Sequence, residues 1–200
     1  MAEEKKEEKR EVKKENHKRS DRSNKRPRKK DGVGANEEWF ERVIKISRVM
    51  KACKGGKRLG FRALVVVGDL NGKVGIGLGK SNEVPGAIKK AMERAKKNLV
   101  TVTVLKGTLA HAVNGRFGAS KVLVHPAPEG TGIIAGGAAR IILEAAGIRN
   151  AVAKSLGSSN PINSARATLQ GLLSLRSEEA ESKRRGIKLS IRKPVVAEAL

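Results

Sequence analysis

Apolar and polar positions divide the chain into a charged lead, a patterned middle and a charged end. Over residues 1–36 Lys, Arg and Glu alternate, and Val12 and Val33 are almost the only sizeable apolar side chains. Such a segment buries too little surface to offset its chain entropy, so a disordered arm is predicted. Over residues 39–51 two periods compete. Trp39, Phe40, Val43, Ile44 and Met50 suit an amphipathic helix, whereas the run Val43-Ile44-Lys45-Ile46 suits a strand. Gly55-Gly56 signals a turn. Residues 61–68, rich in Val, are predicted to be a strand, Asp69-Leu70-Asn71-Gly72 a hairpin turn of Asn-Gly type, and residues 73–79 its return strand.

A helix is predicted over residues 84–98. Ser81 and Asn82 are available as caps, and Pro85 is tolerated because first-turn N–H groups lack helical partners anyway. Ala87, Ile88, Ala91, Met92, Ala95 and Leu99 form one apolar stripe, and Lys89, Lys90, Arg94, Lys96 and Lys97 populate the remaining surface. This helix, packed on a small antiparallel sheet, would complete a first domain near residue 100. The second half opens with a strand-like run over 99–105. Two further strands, over 108–113 and 120–125, bracket Asn114-Gly115, and Pro126 and Pro128 end the latter. A helix over 135–146 is stopped by Gly147, residues 150–156 suit a strand, and Asn160-Pro161 opens a last helix with Ile162, Ala165, Leu169, Leu172 and Leu173 inward. The expected organisation is an arm (1–36), two domains (37–100 and 101–175) and a charged tail (176–200). Each folded unit is of a size at which a core alone gives marginal stability.

Charge then narrows the partner. The chain holds 43 Lys and Arg against 20 Asp and Glu, a net charge of +23. Residues 1–38 contribute only +4, which leaves +19 on the patterned remainder. The densest stretch is residues 42–62, with Arg42, Lys45, Arg48, Lys51, Lys54, Lys57, Arg58 and Arg62, no acid, and the turn Lys54-Gly55-Gly56-Lys57-Arg58 in its middle. Like charges crowded in this way oppose compaction unless a polyanion compensates them, and nucleic acid is the expected polyanion. The arm would then either order on RNA or stay a solvated extension. No segment approaches the ~20 apolar residues that span a bilayer, so no membrane partner is expected. One Trp, three Phe and no Tyr leave little for base stacking. Recognition through backbone, shape and charge fits better. A single cysteine, Cys53, excludes an internal disulfide framework and a Cys-cluster zinc site, and His17, His111 and His125 are scattered. No metal and no cofactor are expected. The reduced cytoplasm is the expected compartment, since no apolar signal-peptide core is evident and the N-terminal glutamates argue against a transit peptide.

Two glycine motifs invite a nucleotide reading and fail it. Gly79-Lys80-Ser81 ends like a phosphate-binding loop, but Val74 stands where that motif needs glycine. Gly75, Gly77 and Gly79 alternate along one face of a strand, as expected for close approach of backbone to RNA or for strand packing against a helix. Gly130-Thr131-Gly132-Ile133-Ile134-Ala135 satisfies a loose dinucleotide-binding pattern. Pro126 and Pro128 interrupt the preceding strand, however, and Glu144 comes too early to hold a ribose. A tight turn that starts a helix is favoured, with an N-terminus suited to an RNA phosphate. No carboxylate pair sits in an apolar setting, Ser155, Ser158 and Ser159 lack a base, and His111 and His125 are expected to be solvated or bonded to RNA. The chain does not read as an enzyme.

The run Gly56-Lys57-Arg58-Leu59-Gly60-Phe61-Arg62-Ala63-Leu64-Val65-Val66-Val67-Gly68-Asp69, continued through Gly72-Lys73-Val74-Gly75-Ile76-Gly77 to Glu83-Val84-Pro85 and Ala87-Ile88, resembles the signature of the fifth small-subunit ribosomal protein of bacteria. Phe117-Gly118-Ala119-Ser120-Lys121, Glu129-Gly130-Thr131-Gly132-Ile133-Ile134-Ala135-Gly136-Gly137 and Gly157-Ser158-Ser159-Asn160-Pro161-Ile162-Asn163 resemble that family in order and spacing. The similarity covers about residues 38–175; the arm is longer than the family leads one to expect and the tail only loosely similar.

The resemblance implies an α+β protein of two small domains. The first would be a three-stranded antiparallel sheet with a helix, like a double-stranded-RNA-binding fold. The second would be an α/β unit with a left-handed β-α-β crossover. It also implies a strand over residues 39–51. Implied partners are small-subunit ribosomal RNA (rRNA) where head and body meet, the small-subunit proteins numbered four and eight, and messenger RNA (mRNA) where it enters. An influence on decoding accuracy is implied too, with no small-molecule substrate, although the spectinomycin site would be near the 54–58 loop. Candidate RNA-binding residues are Arg48, Lys51, Lys54, Gly55, Gly56, Lys57, Arg58, Arg62, Lys80, Lys89 and Lys121. Candidate protein contacts, by resemblance to the surface that meets protein four, are Phe117, Gly118, Gly136 and Arg140. Two rivals remain: a free-standing double-stranded-RNA-binding regulator or processing factor, and a nucleotide-dependent enzyme that uses the glycine loops.

Overall fold

The computed structural model describes residues 39–186. The arm expected over 1–36 and the last part of the expected tail, 187–200, lie outside the described residues. The first half contains β1 (Phe40–Cys53), β2 (Gly56–Gly68), β3 (Lys73–Ser81), α1 (Val84–Lys97) and β4 (Leu99–Thr101), and its antiparallel sheet runs β1-β2-β3-β4. The second contains β5 (Val113–Phe117), β6 (Ser120–Pro126), β7 (Ile133–Ile134), α2 (Gly137–Ala145), β8 (Ala151–Gly157), α3 (Pro161–Leu173) and α4 (Glu178–Arg185). Its sheet runs β5-β6-β8-β7; only β7 and β8 are parallel, with α2 as their crossover.

Residues 39–51 are strand, as the resemblance implied. Their helical stripe has nothing to bury it, and Ile46 and Met50 stay exposed. Pairing with β2 continues instead to Cys53 and Gly56, so β2 starts five residues before the expected strand. The implied three-stranded sheet has a fourth strand, because the chain leaving α1 returns beside β3 and pairs Val100 with Val74. Only Leu99–Thr101 of the expected 99–105 strand forms; Lys106 and Gly107, both at positive φ, then fold a tight turn closed by a Leu105–Thr108 bridge.

Several turn assignments move. Residues 69–72 form a four-residue loop in which Leu70 and Gly72, not Asn71, take positive φ. Asp69 Oδ1 closes it by accepting from the amides of Asn71 and Lys73, each at 2.8 Å. Asn114-Gly115 is strand interior rather than turn, because α3 lies directly on Gly115 and a Cβ there would overlap the Ala167 carbonyl. The hairpin reverses at Gly118, at φ 58. Gly130 and Gly132 lead into β7, and α2 begins only at Gly137. Neither Ser81 nor Asn82 caps α1, whose N-cap is Glu83 without a side-chain bond. Leu173 points outward and Leu175 takes the inner position. The first residues of the expected charged tail form α4.

Burial explains the valine run. Ala63, Val65 and Val67 pack with Ala87, Ala91 and Ala95 of α1. Val66 and Val74 belong to a second cluster with Ile142 and Leu143 of α2 and Leu172 of α3. β2 is therefore covered on both faces, which is why it reads as continuous rather than alternating. The glycine ladder of β3 serves α1: a Cβ on Gly75, Gly77 or Gly79 would overlap the carbonyls of Ala95, Ala91 or Ala87. Of the two readings of that ladder, helix packing is the one seen.

The 69–72 loop also joins the halves. Leu70 and Gly72 amides donate to the carbonyls of Ala145 and Ala146 at 3.2 and 3.1 Å, and the Val102 amide donates to the Gly72 carbonyl at 2.7 Å. Gly147, at φ 78, ends α2 with its own amide on the Glu144 carbonyl and the Ile148 amide on that of Leu143, a Schellman closure. A Cβ on Gly147 would strike the Leu70 carbonyl, and one on Gly68 would strike that of Ala145.

Candidate nucleic-acid interface

β3 ends opposite Phe61, so the hairpin tip beyond it is a free two-stranded ribbon. Val49 to Cys53 on one arm would reach about 13 Å at the usual strand rise. Gly55 turns the ribbon at φ 82, next to Lys54. Among the described residues no third strand or helix stabilises this part, and isolated hairpins are marginal.

Strand register sorts the candidate residues into two faces. Lys51 lies directly opposite Arg58, and Arg62 directly opposite Lys80. Alternation places these four, with Lys45 and Ser47, on the face turned away from α1. Arg48 and Lys57 occupy the other face, among the exposed apolar side chains Ile46, Met50 and Leu59. Like charges directly opposed across strands are destabilising. No carboxylate of the described residues comes within ion-pair distance of any of these cations. Glu41, the one acid of β1, is used elsewhere, 2.8 Å from Lys96 of α1. The ribbon thus carries a row of uncompensated positive charge on an exposed, slender support, an arrangement complementary to a phosphate backbone.

The other candidates do not join this row. Lys89 lies on the exposed side of α1. Lys121 faces Arg116 across β5 and β6 on the outer side of the second sheet, where Lys154 of β8 is exposed as well. Lys45, counted in the basic stretch, was not singled out as a candidate, and Arg116 and Lys154 were passed over. Their signal was strand parity, readable for Lys45 only once the β1–β2 register was known and for Arg116 and Lys154 only once the hairpin turn was known to lie at Gly118. Phe117 is half-buried under the Arg166 guanidinium, 5.1 Å from its ring centre. Gly118 is the β5–β6 turn and Gly136 the N-cap of α2. Arg140 bonds within its own half: its guanidinium donates to the Ile133 carbonyl at 3.0 Å and lies 3.8 Å from Glu144. His111 and His125 are exposed, as is Cys53. Among the described residues no helix is long and apolar enough to cross a membrane.

Two family models match the chain. One, described as ribosomal protein S5, N-terminal domain, covers residues 39–103, and the other, ribosomal protein S5, C-terminal domain, covers 115–185. The chain belongs to the ribosomal protein S5 family. Small ribosomal subunit protein uS5 of Photobacterium profundum is 56% identical over 147 residues, which is 74% of this chain and 89% of that protein. The protein of the same name from Aliivibrio fischeri is 54% identical over the same shares. That of Methylobacterium radiotolerans is 52% identical over 166 residues, 82% of this chain and 85% of its own. The S5 match runs past residue 175 to include α4.

Proposed function

We propose that the chain is a structural, non-enzymatic constituent of the small ribosomal subunit that grips rRNA through the β1–β2 ribbon. The observation that carries this is the pair of like-charge cross-strand pairings, Lys51 with Arg58 and Arg62 with Lys80, with no carboxylate of the described residues within ion-pair distance. A fold keeps such pairs where an external anion compensates them. Lys54, Gly55, Gly56 and Lys57 complete the tip, where glycine lets the backbone pass close to RNA and lysine neutralises phosphate. Arg48 and Lys89 meet RNA from the α1 side, and Lys121 from the second sheet.

The protein acts as a bracket. Residues 37–100 hold RNA of the head side and residues 101–175 hold the body, with the joint at Gly72, Ala145 and Ala146 keeping the pair stiff. Phe117, Gly118, Gly136 and Arg140 mark the side that meets small-subunit protein four, protein eight is a further neighbour, and mRNA passes close by as it enters. Decoding accuracy and the spectinomycin response then depend on the 54–58 loop. The S5 resemblance supports these finer placements.

The tagged chain, expressed in growing bacterial cells, is expected to sediment with small ribosomal subunits and to stay there through a moderate-salt wash. A free-standing double-stranded-RNA-binding regulator would remain near the top of the gradient. Recovery of the chain only in those light fractions contradicts the proposal.

A further inference from the structure

Where the basic ribbon meets the second half, its row of cations runs into a cavity of about 110 Å³. Lys45, Ser47, Arg62 and Leu78 wall one side, and Asn160 and Ile162, at the start of α3, the other. Lys80, which does not line the cavity, pairs across strands with the wall residue Arg62, and its side chain lies over Gly60, 3.8 Å from where a Cβ would be. None of Lys45, Arg62 or Lys80 has a carboxylate of the described residues within ion-pair distance.

The polar side of this cavity favours an anion; Leu64, Leu78, Pro161 and Ile162 complete the lining. Its walls offer an ammonium, a guanidinium fork and a hydroxyl, and no acid. Arg62 presents the planar donor pair that matches two oxygens of a phosphate. The volume admits a tetrahedral oxyanion. The first turn of α3 adds its partial positive charge, as helix N-termini do for anions. The walls come from both halves of the fold, so an occupant touches both.

We infer that this cavity seats one phosphodiester group of an RNA strand whose neighbouring phosphates run up the Lys51–Arg58 row, and that the seated phosphate ties α3 to the first sheet. The inference rests on the RNA-binding reading given above and adds a defined seat to it. Free phosphate has the same chemistry, but the flanking contacts raise the effective concentration of an RNA phosphate at the seat, so RNA is the occupant favoured.

Amide hydrogen exchange of the full chain tests this, measured alone, with purified small-subunit rRNA, and with inorganic phosphate at millimolar concentration. RNA is expected to protect the tip amides of Lys54 and Gly55 together with those of Ile162 and Asn163, while inorganic phosphate protects neither pair. At RNA concentrations adjusted to equal occupancy, Arg62→Gln, and independently Lys45→Gln, should lose far more protection at Ile162 and Asn163 than at the tip. The salt slope of RNA binding should fall by about 0.7–0.9 in each variant. A protected tip with α3 unprotected in the wild type overturns the seat and leaves the RNA reading standing. So does equal protection by inorganic phosphate alone, or a variant that keeps the α3 protection. No protection anywhere by RNA overturns both.

Discussion

Gly77 shows how much one missing methyl group decides. It sits where β3 crosses α1, and a Cβ there would overlap the Ala91 carbonyl. Gly77→Ala forces sheet and helix apart. Overpacking of this kind costs roughly 1–3 kcal/mol, which at this chain length lowers the melting temperature by about 2–4 °C per kcal/mol. Gly56→Ala, with open space around it and no positive φ, should change the stability by no more than about 0.5 kcal/mol. Thermal melts of the two variants check this, and equal melting temperatures would contradict it. The alternating glycines were visible in the sequence, but their partner was not: a missing side chain serves a helix and a bound backbone equally well. Glu181 makes a second residue-scale case. The hydrogen bond from Arg185 (2.7 Å), aided by the charges of Arg184, Arg185 and Arg176, holds its carboxyl below the ordinary value of 4.5 despite an opposing effect of desolvation. Its folded value is depressed, so its contribution is fully present above pH 4.5 and is lost as pH falls through the lowered value. The protection factors of the α4 amides, exchange rates corrected for the intrinsic pH dependence, should fall over that acid range in the wild type and stay level in Glu181→Gln.

At the scale of elements, the sequence was most legible where propensity and burial agree. The α1 stripe of Ala87, Ala91 and Ala95, the valine run of β2 and the Gly147 stop of α2 all formed where the pattern placed them. Errors gathered where a tertiary contact reassigns a turn residue. Asn114-Gly115 carries the strongest local hairpin signal in the second half, yet α3 needs the bare Cα of Gly115 and the reversal moves to Gly118. Asn71-Gly72 lost its two-residue turn because the joint to α2 holds Leu70 and Gly72 instead. The faces of the basic ribbon could not be assigned until register was known, since the bulge between Val43 and Lys45 shifts their parity. Caps follow the same logic. Asn160 caps α3 by accepting the Ile162 amide at 3.2 Å, as its position before Pro161 suggested. Asn160→Ala should cost about 1 kcal/mol, read as a lower melting temperature. A variant as stable as the wild type would mean the cap bond contributes nothing.

At the scale of the molecule, the halves share apolar surface. Val66 and Val74 of the first sheet are buried with Ile142, Leu143 and Leu172 of the second half, so separating them exposes a core to water. Residues 39–186 should unfold in one cooperative step, and Trp39 reports on the first half from its place beside Lys96 of α1. Denaturant midpoints from Trp39 fluorescence and from far-ultraviolet circular dichroism are expected to coincide; two separate transitions would show that the joint does not couple the halves. A stiff, positively charged body with a slender cationic ribbon suits a protein that organises RNA and does no chemistry on it. The most direct test of that claim is the salt dependence of binding to small-subunit rRNA, compared between the wild type and Lys51→Gln/Arg58→Gln. Two lost phosphate contacts should lower the slope of log affinity against log salt by about 1.4–1.8. A slope unchanged in the double variant would mean that the ribbon does not hold RNA.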